Sequence, residues 1–207
     1  MPLPVIIALF LCALLVTPAK STAQDSQLQP TDDATSSHQD PKYYAIDRFM
    51  NITDDIWVWN TTQKDVKKCR KDRSLYMTAN ATYFNRSHEE DTEIIQKSLV
   101  GYFGNFDEDK PSTYNEIRIT DGSDTYEEVL VYASPDKTCG VVKVFAYRYG
   151  TSWLPEIIDE SVLWREVRVR GRPNDTSRLH YGCTKEFDEY VKILKRNWTS
   201  PYKKECI

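Results

Sequence analysis

Apolar residues change period several times along the chain, and each period predicts a different kind of segment. Residues 5–16 (VIIALFLCALLV) form an unbroken apolar run too short to span a bilayer, followed by small residues ending in Ala19 or Ala23. That pattern predicts a secretory signal peptide over 1–23. From 24 to 39 the chain is Ser, Thr, Asp and Gln with almost nothing apolar, so burial cannot offset the entropy of ordering. A disordered N-terminal tail is expected there, and the folded domain is expected over 40–207.

Asp40-Pro41 offers an N-cap followed by Pro at the first helical position, and Tyr44, Ile46, Phe49 and Met50 give a partly helical stripe. A short helix is expected over 41–52. Beyond it, aromatic and β-branched runs alternate with turn chemistry every ten or so residues. These runs predict strands at 55–61, 74–84, 93–103, 113–120, 125–134, 139–149 and 161–170, with turns at Asp121-Gly122 and Ser134-Pro135-Asp136. Sequential strands of this kind form an up-and-down antiparallel meander, and a meander of seven or eight strands removes its edges by closing into a barrel. After Cys183 the period becomes helical: Phe187, Tyr190, Val191 and Leu194 share one face, with Thr184 placed to cap the start. A helix over 184–196, packed on the outside of the barrel, is expected.

Asn-X-Ser/Thr sequons at Asn51, Asn60, Asn80, Asn85, Asn174 and Asn197 are candidate glycosylation sites that also help to choose strand faces. A sugar on Asn80 points outward, and alternation then sends Leu75, Met77, Ala79, Ala81 and Tyr83 inward. The same argument at Asn60 sends Trp57 and Trp59 inward and leaves Ile56 and Val58 outside, to be covered by the C-terminal helix.

Charge and composition narrow the chemistry. With 27 basic and 31 acidic side chains the net charge is −4, which removes nucleic acid as the default partner. The three His, at 38, 88 and 180, are scattered, so no metal site is expected. Losing Cys12 with the leader leaves Cys69, Cys139, Cys183 and Cys206, an even set with three complete pairings in an oxidising compartment. There is no GxSxG, P-loop, GxGxxG or HExxH motif, and an enzyme is not expected. Glu89-Glu90 and Glu127-Glu128 read as solvated charges, except that whichever of Glu127 and Glu128 faces inward is a candidate partner for a cation. Lys64, Lys67, Lys68, Arg70, Lys71 and Arg73 surround Cys69, but interleaved Asp65 and Asp72 make a solvated loop the plainer reading than a sulfated-glycan or protein-binding patch.

Several stretches resemble the tick salivary lipocalins, specifically the histamine-binding group: HQDPKYYAIDRF, IWVWNTTQKD, VYASPDKTCGVV, the LW of SVLWREV, and GCTKEFDEYV before a terminal Cys. The similarity runs from His38 to Cys206. It implies an all-β, eight-stranded antiparallel up-and-down lipocalin barrel with a short N-terminal helix and a C-terminal helix packed on it. It also implies the disulfides Cys69–Cys206 and Cys139–Cys183. In amine-binding members an acid follows the Cys matching Cys139, and another stands two residues before the Trp matching Trp164. Here those positions are Gly140 and Val162.

The expected function is that of a secreted, monomeric protein that sequesters a small host mediator in its barrel, with no cofactor, no nucleic acid and no membrane partner. Candidate ligand-binding residues are Trp57, Trp59, Met77, Tyr83, Ile117, Ile119, Phe145, Tyr147, Val162 and Trp164; the plain alternative for the aromatics is that they fill the barrel. An apolar or bulky aromatic ligand (a sterol, an eicosanoid, a serotonin-like amine) ranks above histamine. An eicosanoid carboxylate requires an inward Lys143 or Arg168, and an amine requires Glu116, Glu127 or Glu128. The alternatives are histamine held by substitute acids, and a surface that binds a host immune or clotting protein.

Overall fold

The computed structural model describes residues 44–106, 113–148, 162–173 and 179–207. The expected leader and tail, and the sequon at Asn174, lie outside the described residues.

Eight strands run in sequence: β1 (Asp55–Thr61), β2 (Lys68–Met77), β3 (Ala81–Glu90), β4 (Glu93–Gly104), β5 (Glu116–Asp121), β6 (Asp124–Ala133), β7 (Cys139–Arg148) and β8 (Leu163–Arg170). Each pairs antiparallel with the next, and β1 pairs with β8 to close the barrel. Closure gives every strand two neighbours and so removes the free edge strands of an open sheet. Two helices flank the barrel, α1 (Ile46–Met50) and α2 (Tyr181–Leu194). α1 is shorter than the 41–52 expected, and Ile46, Phe49 and Met50 are buried in the inner cluster with Leu130.

The run expected as one strand over 74–84 is instead a hairpin. Thr78 bends the chain with its side chain: its hydroxyl donates to Asn80 Oδ1 at 3.0 Å and accepts from the Ala81 N–H at 3.1 Å. This local side-chain bond substitutes for the Gly or Pro that usually marks a turn. Asn80 therefore stands exposed in the turn and fixes no strand face. Leu75, expected inward, is 53% exposed, and Tyr83 stacks on exposed Tyr76 with ring centroids 4.1 Å apart. β2 also starts at Lys68, so the basic stretch read as a solvated loop is largely strand.

The first strand has the opposite face orientation to that expected. Ile56 belongs to the inner cluster with Phe49, Phe84, Ile117 and Trp164. Trp57 packs outside with Cys69, Tyr202 and Cys206, and Trp59 touches that group. Tyr202 is the reason: its ring meets Trp57 edge-on and stacks on Trp59, both with centroids 5.3 Å away. The chain after α2 crosses back over β1, where Thr61 and Thr199 exchange backbone hydrogen bonds of 2.9 Å. The cover for large apolar residues on this face comes from that terminal segment.

α2 lies over the outer sides of β7 and β8 instead, with Cys183 and Phe187 packed on Cys139, Val141, Val167 and Val169. His180, rather than Thr184, caps it: His180 Nδ1 accepts from the Gly182 N–H at 3.1 Å. Leu194, expected on the buried face, is 48% exposed because the contact ends one turn earlier. Two disulfides, Cys69–Cys206 and Cys139–Cys183, tie the terminal segment and α2 to the barrel.

Candidate functional site

Strand alternation puts a group of six charged side chains inside the barrel. β2 contributes Arg70 and Asp72, β3 contributes Arg86, β6 contributes Glu128, and β8 contributes Glu166 and Arg168. Arg86 binds Asp72 through two hydrogen bonds of 2.8 Å and reaches Glu128 Oε1 at 2.8 Å. Arg168 donates to Glu128 Oε2 at 2.6 Å and to Glu166 Oε2 at 2.8 Å. Arg70 donates to Glu166 Oε1 at 2.6 Å and to Gln63 Oε1 at 3.1 Å, and the Trp164 indole N–H donates to the same Glu166 oxygen at 2.8 Å.

Three guanidiniums and three carboxylates make the group formally neutral, and that balance is what permits its burial. Burial alone favours the neutral acid at Glu128, but Arg168 and Arg86 outweigh it and hold the carboxyl far below the usual range. Glu166 is lowered in the same way by Arg70 and Arg168 against burial. Arg70 is the exception. Burial pulls its pKa down, Glu166 only partly restores it, and neighbouring Arg86 and Arg168 pull it down further.

Around this charged group the inner wall is apolar, formed by Phe84, Leu99, Ile117, Ile119, Val144 and Trp164. α1 occupies the end at which β1 and β7 begin, with Phe49 close to Gly140 and Leu130. At the opposite end the half-buried Tyr126 ring meets Trp164 edge-on at 6.5 Å, and burial, with Asp124 and Asp121 nearby, raises the Tyr126 pKa against the smaller opposing pull of Arg70 and Arg86. This end of the interior combines an aromatic corner with two guanidiniums, and Trp164 and Arg70 there are buried.

The sequence-derived ligand residues separate into two groups. Ile117, Ile119 and Trp164 share the inner cluster, and Met77 is half-buried opposite Thr82 at the end of β2. Trp57, Trp59, Tyr83, Phe145 and Tyr147 sit on the outer face. Phe145 stacks on Phe106 at 5.5 Å, and the Tyr147 hydroxyl donates to Glu127 Oε2 at 2.6 Å. Lys143, proposed for a ligand carboxylate, lies over the Phe145 ring at 4.4 Å on that outer side. Val162 is half-buried just before β8, its carbonyl accepting from the Ala146 N–H at 2.8 Å. Sequence reasoning missed Arg70, Asp72, Arg86 and Glu166; for the first two, the i, i+2 spacing opposite Lys71 and Arg73 was the available sign.

No protein-family model and no curated protein sequence matches the chain. Solved structures do match. The AM182 serotonin complex superposes with a TM-score of 0.56 at 12% identity, over 80% of this chain and 94% of that one. The siderocalin Ex-FABP superposes with a TM-score of 0.50 at 6% identity, over 75% and 93%. The protein has a lipocalin fold.

Of the two positions where the sequence resemblance led to an expected acid, Gly140 has no room for one. A Cβ at Gly140 would come within 2.8 Å of Leu130 Cδ1 and 3.1 Å of the Phe49 ring, so α1 fills the space a longer side chain needs. Of the substitute acids, Glu127 and Glu116 lie on the outside with Arg118 beside them. Glu128 does point inward, and there two arginines already hold it.

Proposed function

We propose that the protein is a secreted carrier that sequesters a small host mediator in its barrel, and that the mediator is a neutral or carboxylate-bearing amphiphile, such as a sterol or an eicosanoid, in preference to histamine. The observation that carries this reading is the saturation of the inner acids: Asp72, Glu128 and Glu166 are each bonded to at least one guanidinium. A buried ammonium without its own anion costs several kcal/mol, so the ammonium of a small amine has no partner here unless an arginine is displaced. A carboxylate can make the charge-assisted bond that arginine makes best only by taking Arg70 from Glu166, which holds it at 2.6 Å, whereas a neutral ligand needs no such exchange. The apolar body of the ligand meets the half-buried Tyr126 first and reaches Trp164 and Ile119, 1% and 0% exposed, only by parting the side chains that cover them; each Å² it removes from water contributes about 25 cal/mol.

A serotonin-like ligand is the second reading, favoured by the fold shared with a serotonin complex and by the Tyr126–Trp164 corner, which accepts an indole ring. It requires Glu166 to release Arg70. Native mass spectrometry and solvent extraction of the protein secreted from a eukaryotic host test the carrier reading. An extractable lipid bound one to one supports it; protein of bare polypeptide-plus-glycan mass that takes up no lipid, sterol or amine on addition contradicts it.

A further inference from the structure

We propose that a groove on the outer face of β1–β4 cradles the core of an N-linked glycan carried by Asn85. The groove has a volume of about 650 Å³, and Trp57, Lys71, Asn85, Ile94, Gln96 and Ile207 are among its lining residues. Two outward register rows make its floor: Trp57, Lys71, Ser87 and Gln96 in one, Asp55, Arg73, Asn85 and Ser98 in the next. α2 covers the outer sides of β7 and β8 and the terminal segment covers Trp57, whereas this part of the sheet has no covering element of its own among the described residues.

Asn85 is the asparagine of an Asn-Arg-Ser sequon, and it projects from the middle of a strand rather than from a turn. A sugar attached there starts inside the groove and must run along the sheet. Asn85 is also held: its Oδ1 accepts from Ser98 Oγ at 2.8 Å, a bond that does not use Nδ2, the atom that carries the sugar. The lining fits an N-acetylhexosamine. Ile94 and Ile207, 55% and 78% exposed, offer apolar surface to the C–H face of the ring. Lys71, Arg73, Gln96 and Ser87 offer polar groups to its hydroxyls and acetamide. The other described sequons lack this setting: Asn80 is in an exposed turn, Asn51 and Asn197 are exposed outside the strands, and Asn60, half-buried in β1, does not line the groove.

The inference rests on the secreted reading, since only a chain that enters the secretory pathway receives such a glycan, and the test separates the two. The full chain is secreted from eukaryotic cells, occupancy is mapped at each sequon, and the native protein is treated with a peptide N-glycosidase. Asn85 should be occupied and released about tenfold more slowly than Asn80 or Asn197, the factor produced by an opening cost of about 1.4 kcal/mol, with the difference vanishing on denaturation. Ile94→Asp, at an exposed position, should speed release at Asn85 without changing occupancy. Equal native release rates overturn the proposal, as does an empty Asn85 beside occupied Asn80 and Asn197. A secreted chain with no sugar at any sequon overturns it together with the secretory reading.

Discussion

Arg168 on β8 and Glu128 on β6 meet inside the barrel at 2.6 Å, with side chains no more than 1% exposed. Because the pair is buried, removing one partner leaves a charge that water cannot reach, and such one-sided losses cost about 3–5 kcal/mol. Glu128→Gln should lower the unfolding free energy by about 3 kcal/mol in urea titration, since Arg168 retains Glu166. A loss under about 0.5 kcal/mol, the range of surface substitutions, would show that the pair is solvated.

The same group sets the response to acid. Glu128 and Glu166 are both depressed in the folded state below their unfolded value of about 4.3. A depressed carboxyl contributes stability that is present above the unfolded pKa and is lost as pH falls through the folded one. The urea midpoint should therefore vary little through these two groups above about pH 5 and decline continuously below about pH 4. Glu128→Gln should flatten that decline. A midpoint that rises on acidification would contradict the pairing.

The docking of α2 gives a contrast within one helix. Phe187 is 1% exposed against Val141 and Val167, and Leu194 is 48% exposed. Phe187→Ala should destabilise the fold by about 3–5 kcal/mol, and Leu194→Ala by less than about 1 kcal/mol. Equal effects, measured by thermal or chemical unfolding, would mean that the helix is rotated from its observed seat.

The Cys69–Cys206 bridge spans 137 positions of sequence and holds Tyr202 against Trp57 and Trp59. In the chain-entropy model a loop of this length contributes about 4–5 kcal/mol. Cys206→Ser with Cys69→Ser should lower stability by that order and shift tryptophan emission to the red as the terminal segment lifts away. Unchanged emission would show that Tyr202 stays in place without the bridge.

Element positions were legible where hydrophobic alternation and turn residues agreed. β1, expected over 55–61, is observed as Asp55–Thr61, and β4 and β6 differ from expectation by a residue at their ends. The β2–β3 hairpin was not legible, because Thr78 closes it by a side-chain hydrogen bond that leaves no Gly or Pro in the sequence. The faces of β1 were misread for a different reason. Alternation says which residues share a side, and here both sides are covered, one by the barrel interior and the other by Tyr202, so apolar pattern alone could not choose between them. Of the six inner charges, Glu128 and Arg168 were among the expected candidates, and Arg70, Asp72, Arg86 and Glu166 escaped notice because each carries a charge usually found at the surface. Their burial depends on partners far away in sequence, such as Glu166 for Arg70, 96 positions on.

Calorimetric titration of the delipidated protein with a leukotriene, cholesterol, serotonin and histamine tests the central claim, that the barrel takes a neutral or anionic amphiphile. The leukotriene or cholesterol should bind one to one, more tightly than either amine. If the leukotriene is the ligand, Arg70→Gln should weaken it by roughly tenfold or more, as expected for losing a charge-assisted bond of about 1.5–3 kcal/mol. Sub-micromolar binding of histamine with the other three silent would contradict the account.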